Sequence, residues 1–318
     1  MGRVNETVVT EFILLGFPSL AEIQYAMFSV SLMIYLVTLS ANSLIIAVIR
    51  ADHRLHSPMY FFLCNLSLID IFYSSSNAPK ALEGFLVKRN VITFFGCAAQ
   101  MYCALSLGIT QCILLAVMAW DRYVAICKPL NYHMIMSKRT CVQFAVLTWS
   151  SGFLLAVVHV SVTLTAPLCG HNQIDYPSCE VTAVLRLACT DIRLREAVIF
   201  LMSVAILIIP FAIILLTYSC IIATILRMPS AAGRQRAFST CGSHVTVVTL
   251  FFGTAMAMYM RPRSMISIKS DKILTLFYGA VTPMLNPLIY TLRNKEVKGA
   301  LTKLLCRKIT SNDESVRT

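Results

Sequence analysis

Two adjacent ionisable residues of opposite sign, Asp121 and Arg122, stand at the end of a segment, Ala98–Trp120, that holds no charged residue. Roughly 20 apolar residues suffice to cross a bilayer, so this run is long enough. An arginine near bilayer depth costs on the order of 2.5–3.5 kcal/mol on insertion scales unless it finds partners. Asp121 is its neighbour in sequence, and the pair reads as an ionic latch at a helix mouth, holding an opposing helix close while it is intact. The alternative is a helix-end anchor that snorkels to the headgroups. Asp70 is a lone acid within Pro58–Pro79, and an ionisable residue at that depth is a functional candidate by default. His244 interrupts Ala237–Met260 in the same way; a satisfied structural histidine is the other reading. The strings HExxH, GxSxG and GxxxxGK[ST] are absent, and no paired carboxylates fall inside the spans. The chain does not read as an enzyme.

The elements that must position these residues follow from composition. Of 318 residues, 57% are hydrophobic and 13% charged, against roughly 25% charged in a soluble domain. That balance indicates an integral membrane protein. The net charge of +12 lies in short pieces between long uncharged segments. Basic residues flank membrane spans in this manner, whereas a polybasic arm for nucleic acid would be continuous. Nucleic-acid binding is excluded on that ground.

Uncharged stretches are Ile23–Ile49, Ala98–Trp120, Cys141–Pro167, Ala197–Leu226 and Ile273–Leu292, joined by Pro58–Pro79 and Ala237–Met260. The reading is an all-α membrane protein, a seven-transmembrane helix bundle, with a transmembrane domain over 23–292. No internal repeat and only one deep acid are present, which argues against a transporter or channel. Of the 27 Lys and Arg, 16 fall on the side that includes Arg50–His56, Arg122–Thr140, Arg227–Arg236 and the tail. The positive-inside rule makes that side cytoplasmic and the N-terminus, 1–22, extracellular. Before Glu22 the longest apolar run is Phe12–Phe17, short of a signal-peptide core, so the first span is expected to direct insertion itself. Asn5-Glu6-Thr7 is a glycosylation sequon, useful only on the outer face. Cys97, Cys169, Cys179 and Cys189 fall in or beside the outer loops, as disulfides in an oxidising compartment would. Four cysteines allow three pairings. The favoured one joins Cys97–Cys179, tying the third helix to the loop, with Cys169–Cys189 closing that loop on itself.

The string MAWDRYVAICKPLNY, Met118–Tyr132, resembles odorant receptors of the rhodopsin-like G-protein-coupled class. Leu55–Leu63 (LHSPMYFFL), Arg236–His244 (RAFSTCGSH) and Pro283–Tyr290 (PMLNPLIY) resemble the same family in the same order. The resemblance implies an activation switch built from Asp121, Arg122, Tyr123, Tyr218, His244, Asn286, Pro287 and Tyr290. In it Arg122 is freed and meets Tyr218 and His244, while Asn286 and Tyr290 cover the carbonyl that Pro287 releases. It also implies a buried polar cluster of Asn42 and Asp70 with Asn286. A sodium ion is the family-based partner for Asp70, but the position where the family carries a glutamate is Gln111. A second departure is Phe252, which keeps the bulk of the family's tyrosine and loses its hydroxyl. The proposed His-x-x-Cys-Glu metal motif of the outer loop is here Tyr176–Glu180 (YPSCE), without its histidine; no metal site is expected.

Helical spacing puts Ala104, Leu105, Gly108, Ile109 and Cys112 of the third span on one face. The resemblance adds Ile199, Met202, Ser203, Ile206 and Leu207 from the fifth span. It adds Phe252, Ala255, Met256 and Tyr259 from the sixth, and Thr275, Leu276 and Gly279 from the seventh. None is charged, so the pocket suits a small, neutral, largely apolar volatile with one polar group met by Ser203, Tyr259 or Thr275. The implied partner is a stimulatory G protein of the olfactory type that raises cAMP, the implied place the plasma membrane, and a non-olfactory chemosensory role the alternative. The tail, 293–318, carries Lys295, Lys298, Lys303, Arg307 and Lys308, suited to an amphipathic helix on anionic lipid, with Cys306 a palmitoylation candidate.

Overall fold

The computed structural model describes residues 9–16, 21–168, 172–260, 272, 274–293, 297–300 and 302. Six long helices come first in chain order: α1 (Ala21–Ala51), α2 (Pro58–Leu86), α3 (Phe94–Cys127), α4 (Lys138–Leu164), α5 (Arg193–Leu226) and α6 (Ala231–Tyr259). A π-helical turn, Phe277–Val281, then leads into α7 (Thr282–Arg293). Their starts are written in local chemistry. Pro58 opens α2 at a position whose missing N–H is not needed. The side chains of Thr93, Ser137 and Ser230 accept from the backbone N–H of Gly96, Thr140 and Gly233, capping α3, α4 and α6.

Among the described residues five helices are long and apolar enough to cross a membrane: Ile23–Ala51, Phe94–Cys127, Lys138–Leu164, Arg193–Leu226 and Ala231–Tyr259. α2 is diluted by Asp70 and Ser74–Asn77, and α7 is short. The exposed faces confirm the solvent, because Leu147, Leu154, Leu201 and Leu216 all point outward. Apolar side chains facing out and polar ones facing in are what hydrocarbon requires. The 34 residues of α5 make a helix about 50 Å long, longer than a bilayer core. The fourth span ends at Leu164, earlier than the uncharged stretch to Pro167. Arg195 of α5 covers its final carbonyls, donating to the oxygens of Val162 at 2.7 Å and Thr165 at 3.2 Å.

α3 is the central helix, packed against α2, α4, α5 and α6. Its closest approach is to α4. A Cβ on Gly152 would meet the Thr110 hydroxyl and the Ser106 carbonyl oxygen, so only glycine lets the two backbones come this near. One turn inward on α4, Trp149 donates to Asn65 of α2 at 3.0 Å.

Three segments far apart in sequence pair over one end. β1 (Glu11–Leu14) lies antiparallel to β2 (Asn90–Thr93), with Phe12 opposite Ile92, and parallel to β3 (Gln173–Ile174), with Ile13 opposite Gln173. The N-terminal segment and two alternate connections therefore share a face, as the seven-span reading requires. Phe12, Leu14 and Ile174 bury into an outer cluster with Cys97, Met101 and Val184. Cys97 and Cys179 form a disulfide between residues 82 apart, worth about 4–5 kcal/mol on a chain-entropy model. Lys272 adds a clamp, donating to Asp175 at 2.6 Å and to the carbonyl of Gly16 at 3.0 Å. Cys169, the sequon at Asn5 and the tail residues Lys295, Lys303, Cys306, Arg307 and Lys308 lie outside the described residues. Residues 297–300 are helical, with Val297 and Ala300 buried against the bundle.

Gly152→Ala is expected to cost about 1–3 kcal/mol, since the Ser106 backbone oxygen must move as well as the Thr110 hydroxyl. Thermal unfolding of the purified protein in one detergent measures it, with Gly253→Ala, where a Cβ meets nothing within 4 Å, as the control.

Candidate functional site

At the inner end of α3 the expected latch is not made. Asp121 accepts a hydrogen bond from the Tyr132 hydroxyl at 2.8 Å, and among the described residues no ion pair joins it to Arg122. The reason is helical geometry: consecutive residues project about 100° apart and do not face each other. Tyr132 sits on the single turn Tyr132–Ile135 that follows α3. Burial, and then the negative charge of Asp121, push its hydroxyl pKa up, so Tyr132 stays a donor. Asp121 thus fastens the loop between α3 and α4. Arg122 still acts on Asp121 and Tyr132 through space, and Tyr218, Cys241, His244 and Tyr290 are also within electrostatic reach of its guanidinium. Tyr123 lies under Lys128, whose ammonium is 5.9 Å from the ring centre.

His244 of α6 is 1% exposed and ties three helices. Its Nε2 is 3.2 Å from the Leu115 carbonyl of α3, and its Nδ1 is 2.8 Å from the Tyr218 hydroxyl of α5. A carbonyl only accepts, so Nε2 carries the proton and donates, leaving Nδ1 to accept from Tyr218. The histidine is satisfied and also stands at the switch position.

The buried polar cluster forms in part. Asn286 Nδ2 donates to both carboxylate oxygens of Asp70, at 3.1 and 3.0 Å. Pro287 frees the carbonyl of Pro283, one turn back. The group that covers it is neither Asn286 nor Tyr290, as expected, but Asn42 of α1, whose Nδ2 lies 3.3 Å away. The Tyr290 hydroxyl and Gln111 Nε2 are buried with no hydrogen-bond partner among the described residues, and Gln111 does not join Asp70. One carboxylate with both oxygens already accepting is a poor cage for sodium.

The other end of the bundle holds a cavity of about 150 Å³, the size that admits a benzene ring when lined by apolar side chains. Its roof is the Pro177–Thr182 stretch of the loop, held by the Cys97–Cys179 disulfide and by Gln100, which accepts from the Cys179 N–H at 2.9 Å. Ala104, Leu105, Gly108, Ile109 and Cys112 all line it from α3. So do Ser203, Ile206 and Leu207 of α5, Ala255 and Tyr259 of α6, and Thr275, Leu276 and Gly279 ahead of α7.

Four expected residues do not line it. Ile199 packs into the outer cluster with Cys97 and Cys179. Phe252 is buried against Phe211 and Phe251, with ring centres 5.3 Å apart in each pair; it belongs to the core beneath. Met256 packs against that core, and Met202 is half-buried off the cavity. The phenol missing at position 252 has a counterpart in Tyr278, whose hydroxyl lies 3.4 Å from where a Gly108 Cβ would stand.

Sequence reasoning missed a second wall. Tyr35 and Thr38 of α1, Tyr73 and Asn77 of α2, and His159 of α4 also line the cavity. The signals were the polar run Ser74–Asn77 and a histidine alone in the fourth span. The cavity also meets a charge, contrary to expectation. Glu180 lines the roof and acts on Tyr73, Tyr259 and Tyr278, though it is engaged elsewhere within the protein.

Residues 31–308 match the sequence model of a family described as olfactory receptor. Human olfactory receptor 2D2 is 50% identical over 307 residues, covering 96% of this chain and 99% of the relative. Human olfactory receptor 2B2 is 47% identical over 98% of this chain and 88% of its own length. The dog olfactory receptor-like protein OLF3 is 48% identical over 96% of each.

Asn286→Leu strips both hydrogen bonds from a fully buried carboxylate and is expected to cost about 1–3 kcal/mol or more. Combining it with Asp70→Leu, which removes the stranded charge, recovers much of that loss. Unfolding temperatures of the two single variants and the double variant supply the cycle.

Proposed function

The chain belongs to the olfactory receptor family, whose members are multi-pass membrane receptors and not enzymes, and from that premise we propose the following activity. A small, neutral, largely apolar volatile binds in the cavity beneath the disulfide-held loop. Binding favours an arrangement in which the inner end of α6 moves outward and a stimulatory olfactory-type G protein docks, raising cAMP. The observation that carries this reading is the cavity at one end of the bundle, walled by α3, α5 and α6, which His244 ties together below it.

A ligand shifts the balance only through its different affinity for the two arrangements. Filling the cavity acts on Ser203, Ile206 and Leu207 of α5 and on Ala255 and Tyr259 of α6. The tie among Tyr218, His244 and Leu115 has to break for α6 to leave α3. Arg122 is the charge that gains room when it does. On the same inner side, the connection from α3 to α4 exposes Leu130 by 98% and Met134 by 73%. These two large apolar side chains on one short loop offer that G protein an apolar anchor.

The test is a panel of neutral volatiles applied to cells expressing the receptor, with cAMP as readout and surface expression matched. Arg122→Ala is expected to abolish the response to any agonist found; an undiminished response defeats the proposal. Leu130→Asp lowers coupling about tenfold, the scale of an interface anchor, without altering agonist binding. His244→Phe keeps the bulk and loses both hydrogen bonds, so agonist-free cAMP rises about threefold or more.

A further inference from the structure

The buried face of α4 runs through Gly152 and Ala156 to His159, two turns beyond Gly152 toward the loop-covered end. His159 is 2% exposed and lines the cavity, and neither of its ring nitrogens has a hydrogen-bond partner among the described residues. A neutral imidazole carries one donor and one acceptor, and burial without partners is costly for both. The other histidine at depth, His244, has both nitrogens answered. Among the described residues, one other fully buried side-chain atom of the cavity lining has no partner, the Thr275 hydroxyl oxygen. A helical threonine can turn its hydroxyl to a carbonyl of its own preceding turn, as Thr163 does to the His159 carbonyl at 2.9 Å. An imidazole has no such escape.

We infer that His159 is the hydrogen-bonding anchor of the ligand and that the cavity's ligands are small hydroxyl compounds, alcohols or phenols of about benzene size; this rests on the cavity being the ligand site. Among the described residues no group fixes which nitrogen of His159 bears the proton. A ligand carbonyl is served only where an N–H faces it. A ligand hydroxyl donates to a bare nitrogen or accepts from an N–H, so it is held in either tautomer. A hydrocarbon of the same shape fills the space and leaves the ring unanswered. An ionised acid meets the carboxylate of Glu180 in the roof and is disfavoured.

The experiment uses the full-length receptor in lipid nanodiscs, titrated with 4-fluorophenol and with fluorobenzene and followed by fluorine NMR. In the unaltered protein the phenol is expected to bind about three- to tenfold more tightly, the reach of one hydrogen bond. His159→Phe brings the ratio to about one while fluorobenzene still binds; His159→Gln, which keeps a donor and an acceptor, retains most of the preference, and Thr275→Val leaves it intact. Equal affinities in the unaltered receptor, or a preference that survives His159→Phe, overturn the anchor and leave the cavity standing. Binding of neither probe overturns both this inference and the reading of the cavity as a ligand site. If His159→Phe does not fold, the ring carbon signal of His159 in the unaltered receptor decides: it must move with 4-fluorophenol more than with fluorobenzene, and equal movement refutes the assignment.

Discussion

Hydrocarbon supplies no hydrogen-bond partners, so the polar groups these helices bury draw their partners from inside the bundle. The Pro283 carbonyl, released by Pro287, is answered by Asn42 from α1. Asp70 of α2 is answered by Asn286 of α7, and His244 of α6 by α3 and α5. Each answer comes from a different helix, so each fixes the height of one helix against another. Apolar packing alone would permit sliding, because lipid tails and leucines are nearly interchangeable. The polar contacts set the register, and the cavity is what remains at the outer end once the register is set.

That constraint also explains what was legible beforehand. The spans could be read because a membrane helix must be apolar along its length, a property each segment carries by itself. The capping residues Thr93, Ser137 and Ser230 are local in the same sense. The pairings are not local. Asp121 and Arg122 invited pairing by adjacency, yet a helix turns neighbours apart, and Asp121 found Tyr132 instead. The cover for the Pro283 carbonyl was sought within its own helix and came from the other end of the chain. The family resemblance put Asp70 and Asn286 in one cluster, and the two meet across α2 and α7; a resemblance carries three-dimensional information that periodicity lacks.

The cavity shows the same division. Faces on α3, α5 and α6 followed from helical spacing and resemblance; the α3 face lines the space throughout, those of α5 and α6 only in part. Phe252 does not, because its position on α6 falls one layer below the floor, among Phe211 and Phe251. The seventh segment carries a π turn over Phe277–Val281, an inserted residue that no hydropathy pattern reveals. Around it Tyr278 faces Tyr73 edge-on at 5.9 Å. Helices α1, α2 and α4 contribute through Tyr35, Asn77 and His159, polar residues whose inward aim depends on neighbours and not on their own segments.

The sheet over the outer end has a consequence for biogenesis. Its central strand, β1, precedes both of its partner strands in the chain, while the lysine that clamps it to Asp175, Lys272, comes just ahead of α7. Chains emerge from the ribosome N-terminus first. The first strand therefore waits, unpaired on one edge and then unclamped, until the final membrane segment has been delivered. Closure of the cover doubles as a completeness check, and a chain truncated or stalled before that segment displays an open β-edge that quality-control factors can recognise.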